Sequence, residues 1–149
     1  MHTFFLDLHS INRWLVLIAG FYVLFASARG WFGRRVWAEA ARRPGMIFTI
    51  LIDIQFVLGL ILYFVFSPIT TKGFAYVMSN PASRFFVMEH SVMMVIALIL
   101  VHAGSILVKK AKPEAKYKRT VIFYGLALLV ILTAIPWPFM PGYGRPLFF

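Results

Sequence analysis

Cysteine is absent from the 149 residues, which excludes disulfides, thiolate metal sites, iron–sulfur clusters, covalently attached c-type haem and any cysteine nucleophile. Acidic residues are scarce, five against fifteen Lys and Arg. No phosphate-binding glycine loop, zinc-ligand spacing or nucleophile triad stands in the chain, so hydrolase and nucleotide-dependent activities lack support. A basic n-region and a small-residue cleavage site are also missing from the N-terminus, and the first hydrophobic segment is therefore expected to be retained. Any ligand must come from histidine, methionine, carboxylate or backbone.

What is present is hydrophobic surface. Apolar residues make up 61% of the chain and charged ones 13%, far from the balance of a soluble domain. Four long apolar runs, 14–28, 46–66, 85–108 and 121–135, account for it. A bilayer core about 30 Å thick needs roughly 20 helical residues. The expected fold is an all-α integral membrane protein, a four-transmembrane-helix up-down bundle forming one membrane domain over 1–149. Its spans fall at about 9–28, 46–66, 85–108 and 120–140. Gly30 and Gly33 close the first helix, Pro44-Gly45 opens the second, Ser67-Pro68 ends it, and Asn80-Pro81 precedes the third. Short loops favour antiparallel neighbours, which places spans one and three diagonally across the core. The ending "IPWPFMPGYGRPLFF" has four prolines and two glycines and cannot continue as a regular helix. Trp137, Tyr143, Phe148 and Phe149 suit an interfacial aromatic belt, so the tail 141–149 is expected to anchor.

The net charge of +10 follows the loops. Arg29, Arg34, Arg35, Arg42 and Arg43 lie in or beside connection 29–45, and Lys109, Lys110, Lys112, Lys116, Lys118 and Arg119 in 109–119. The opposite side, with loop 67–84 and both termini, has only Arg13, Lys72, Arg84 and Arg145. The positive-inside rule then puts the basic loops in the cytoplasm and both termini outside, in a bacterial cytoplasmic membrane. These loops meet anionic headgroups. Nucleic acid is not an expected partner, because interleaved aromatics and a recognised binding fold are absent.

Depth orders the polar residues into two layers. With a rise of about 1.5 Å per residue from the cytoplasmic helix ends, His9 and His90 both lie roughly 27–28 Å up. Asp53 and His102 both lie roughly 10 Å up, on adjacent helices. The uncharged part of the first span is too short to cross alone, so the helix must extend back to His9 and draw His9 and Arg13 into the bilayer edge. Positions 9 and 13 share one face, and ionisable groups on it should turn into the bundle. The third span repeats the arrangement, with Arg84 outside and Glu89-His90 just within.

Three readings of the outer layer follow. Two imidazoles at one depth on diagonal helices are what a b-type haem requires as axial ligands. Glu89 or a loop carbonyl would then accept from a ligand's other nitrogen, and Arg13 or Arg84 would pair with propionates. Alternatively, His9 and His90 are interfacial histidines bonded to water, headgroups or each other. Thirdly, His and Arg hold a quinone headgroup.

The stretches "LHSINRW", "RFFVMEHSVMM" and "FYGLALLVILTAIPWPF" resemble small four-span bacterial membrane proteins labelled cytochrome b-like, and the resemblance covers nearly the whole chain. It implies haem b and electron transfer, with His9 and His90 as the ligand candidates. The chain departs from diheme membrane cytochromes, since His102 has no histidine partner at its depth, and from respiratory cytochrome b with its four-histidine pattern. At most one bis-histidine haem is expected.

In the inner layer, Asp53 within "ILIDIQFVLGLILY" is a functional hypothesis by its position alone. Pairing with His102 would satisfy both groups, as an interhelical clasp or as a proton-linked pair. The expected function is therefore a membrane-embedded, b-type cytochrome-like protein that binds one haem near the outer face. It would take part in electron transfer with quinone or a redox protein, as a component rather than a stand-alone catalyst. Two alternatives remain open: a non-catalytic subunit of a respiratory or photosynthetic membrane complex, and a small proton-linked transporter built around Asp53.

Overall fold

A computed structural model describes residues 1–147; the belt role expected of Phe148 and Phe149 lies outside the described residues. Four helices long and apolar enough to cross a membrane run His2–Phe32, Glu39–Phe66, Pro81–Lys109 and Pro113–Ala134. No strand occurs among the described residues. The first span packs closely on the second and fourth, and the third packs on the fourth and less extensively on the second. Spans one and three therefore face each other across the bundle.

Helix ends follow local chemistry. Gly33 caps the first helix, its N–H bonding to the carbonyl of Arg29. Pro44 sits in the first turn of the second helix, where its missing N–H has no helical partner to lose. Asn80 caps the third by accepting from the backbone N–H of Ser83, with Pro81 following. The loop expected at 67–84 holds a short helix, Phe74–Ser79, and much of the basic loop 109–119 is already the first turns of the fourth helix.

The fourth helix stops at Ala134, short of the span expected to 140. Two prolines, Pro136 and Pro138, explain the early stop. They lack the N–H groups that would continue the ladder to the carbonyls of Leu132 and Ala134. Both carbonyls find side chains instead: Trp137 Nε1 donates to Leu132 at 2.8 Å, and His90 Nδ1 donates to Ala134 at 2.8 Å.

The core is threaded along the bundle axis by Val16, Val23, Phe48, Val101, Ala127 and Leu128, all almost fully buried. Small residues let the backbones approach. A Cβ at Gly104 would stand 2.6 Å from the Cβ of Phe123, and one at Gly30 2.5 Å from the Tyr117 ring. Two π-helical turns, Leu62–Phe66 and Phe85–Glu89, interrupt the second and third spans at the end where His9 and His90 lie. Such turns re-aim the side chains that follow them. The second delivers His90 directly.

Candidate functional site

The outer layer comes together around the two diagonal imidazoles. The rings of His9 and His90 have centroids 6.3 Å apart and planes at 61°. Each is placed by a helix that contributes no ring. Gln55 on the second span donates from Nε2 to the backbone carbonyl of His9 at 3.0 Å. Asn12 Nδ2 donates to Gln55 Oε1 at 2.8 Å and to the carbonyl of Leu51 at 3.0 Å. Asn12 and Gln55 are buried, so this three-bond clasp sets the axial register of His9 against the second span. His9 Cε1 lies 3.5 Å from where a Cβ on Gly59 would stand.

His90 is held from the fourth span. A carbonyl oxygen only accepts, so the bond to Ala134 places a proton on Nδ1. Nε2 has no hydrogen-bond partner among the described residues. On the other ring, His9 Nδ1 is buried and likewise unpartnered. Two imidazoles with idle nitrogens thus stand at one depth inside apolar surroundings. Phe85 and Phe86 lie 6.0 Å and 6.4 Å from the His90 ring, and Phe85 is buried.

The tail folds back over this region. Tyr143 stacks on Phe85 at 4.1 Å, Arg145 lies 4.9 Å over the Phe86 ring, and the carbonyl of Leu147 accepts from Arg13 Nη2 at 2.5 Å. Trp14 Nε1 reaches the same carbonyl at 3.3 Å. Gly144 makes the fold possible, since a Cβ there would meet the carbonyl oxygens of Trp137, Met140 and Pro138 at 2.6–3.0 Å.

Glu89 does not accept from His90; it pairs with Arg84 at 2.8 Å, both about half exposed. Arg13 has a neutral carbonyl, that of Leu147, as its hydrogen-bond acceptor. Asp53 Oδ1 and His102 Nε2 meet at 2.8 Å on the bundle surface between the second and third spans, with side chains 45% and 48% exposed. The inner pair therefore faces outward, away from the axis. Neither Asn12 nor the carbonyl of Ala134 stands out in the sequence as a site component, although the paired prolines at 136 and 138 signal which carbonyls are released.

Compared with protein-family models, curated proteins and solved structures, the chain matches none.

The clasp generates a test. Asn12→Leu and Gln55→Leu should each lower stability by about 1 kcal/mol in denaturant titrations of the detergent-solubilised protein. Because the two side chains bond directly, the double variant should cost clearly less than the two single losses added together. Strict additivity would contradict the clasp.

Proposed function

We propose that the outer half of the bundle binds one haem b, with His9 and His90 as axial ligands. The chain acts as an electron-transfer component of a bacterial cytoplasmic membrane, with quinone or a redox protein as its partner. The observation that carries this reading is the 6.3 Å spacing of the two imidazole centroids with a free nitrogen on each ring. His9 and His90 would hold the haem, each through one imidazole nitrogen, and so tie the first span to the third.

The donor set supports a porphyrin over a bare ion. Among the described residues no group of three or more His, Asp or Glu side chains gathers to hold a metal. Zinc in a structural site takes four protein ligands and in a catalytic site three. A porphyrin brings four nitrogens of its own and asks the protein for the two axial ones.

Haem held there would supply one-electron redox chemistry. The chain's residues do the rest. The carbonyl of Ala134 fixes the His90 tautomer and leaves Nε2 free for the metal, the usual arrangement for a ligating histidine. Gln55 and Asn12 hold the first span at the depth that brings His9 level. Phe85 and Phe86 give the site apolar walls, and the tail residues Tyr143 and Arg145 cover it from water. Arg13 is the better partner for a propionate, because Arg84 is already neutralised by Glu89.

The half-exposed Asp53–His102 pair favours a second reading. An ionisable pair on a lipid-facing surface is costly, and a neighbouring subunit covering it would make this chain an accessory component of a larger complex. Sidedness belongs to the same proposal. The two basic connections meet at one end of the bundle, where Trp37 packs on Tyr117 at 4.7 Å, and we place that end in the cytoplasm.

Protein purified from haem-replete cells should carry one b-type haem per chain by pyridine haemochrome assay, and His9→Ala or His90→Ala should remove it. A colourless wild-type preparation would overturn the haem reading, and its comigration with a larger complex on a native gel would favour the accessory one. The cysteine-free background also allows single-cysteine labelling. Ser79→Cys should react with an impermeant maleimide on intact cells and Lys112→Cys only after permeabilisation, and the reverse pattern would invert the topology.

A further inference from the structure

At the end of the bundle opposite the histidines, a cavity of about 310 Å³ opens between the second, third and fourth spans. Its lining includes Trp37, Arg42, Lys109 and Lys116, with Glu39 as the one acidic side chain. Two of these groups are under-satisfied, one without a hydrogen bond and one with only a long ion pair. Trp37 Nε1 is buried with no hydrogen-bond partner among the described residues, although an indole N–H is a donor that burial makes costly to leave idle. Lys116 is largely withdrawn from the surface, its side chain 17% exposed, and its nearest carboxylate oxygen, on Glu39, is 3.9 Å away. That distance is beyond hydrogen-bond range. The ammonium lies 5.6 Å over the Trp37 ring, so the unpartnered indole N–H and the loosely paired ammonium belong to one corner of the cavity.

We propose that this cavity binds the phosphate of an anionic phospholipid in the leaflet that meets the basic loops. A phosphate diester offers the acceptor oxygens that Trp37 Nε1 and Lys116 Nζ lack, and its charge offsets the excess of cations in the lining. The location favours a lipid over a free anion. Arg42 and Lys109 mark helix ends, the level at which phosphates of a bilayer lie. The cavity wall continues through Met46 and Ile50, each 49% exposed, onto the apolar outer surface of the second span, where acyl chains would run. A neutral ligand such as a quinone would leave the cationic excess unanswered. The site is independent of haem and of the outer layer.

The test uses the full chain, delipidated in neutral detergent, with lipid adducts counted by native mass spectrometry. Short-chain phosphatidylglycerol should bind about tenfold more tightly than phosphatidylcholine, and Lys116→Gln should remove about that factor. Trp37→Phe should also weaken binding severalfold. It keeps an aromatic ring against Tyr117 while deleting the N–H, and so tests the site if Lys116→Gln lowers expression. Lys118→Gln removes the same charge from an exposed neighbour and should leave binding unchanged. Equal losses in Lys118→Gln, equal binding of phosphatidylcholine, or displacement of the lipid by inorganic phosphate at matching concentration would each overturn the proposal.

Discussion

The hydrogen bond from His90 Nδ1 to the carbonyl of Ala134 is the interaction on which the outer half of this bundle depends. It exists because Pro138 cannot donate to that carbonyl and Pro136 cannot donate to the carbonyl of Leu132, so the fourth helix ends inside the protein with acceptors to spare. In a bilayer no water is at hand to satisfy them. One carbonyl takes the indole of Trp137 and the other takes an imidazole from the neighbouring span. The same break releases the chain into a tail that turns back over the first and third spans. A single feature of sequence, two prolines one residue apart, thus ends a helix, orients a histidine and covers the site.

The clasp of Asn12 and Gln55 plays the matching part on the other side. It joins the first and second spans through buried amides, and one of its bonds ends on the backbone of His9 itself. Neither histidine is positioned by its own helix alone. This division of labour, rings from the diagonal helices and register from the other two, suits a site in which two side chains must arrive at a fixed separation.

Much of this was legible in residues of recognisable type. Hydropathy and the glycine and proline boundaries gave four spans and their diagonal arrangement, and the depth ruler brought His9 level with His90 and Asp53 level with His102. The hidden parts are those carried by backbone or by facing direction. The carbonyl of Ala134 has no signature beyond the prolines after it; Glu89 and a loop carbonyl both stand as candidate acceptors in the sequence, and Glu89 is taken up by Arg84. The Asp53–His102 pair could be matched by depth, but a half-exposed position between two helices is a property of packing that no count along one helix reveals. Lys116 reads as a loop charge and Trp37 carries no signal of its own, and only the meeting of two connections makes them neighbours.

The proposal that His9 and His90 together hold one haem is open to electron paramagnetic resonance of the oxidised protein near liquid-helium temperature. Two imidazole ligands impose a strong axial field on ferric iron. The wild type should give a low-spin signal that gives way to a high-spin signal or to none in His9→Ala and in His90→Ala. A high-spin wild-type signal, or a low-spin signal that survives both substitutions, would contradict it.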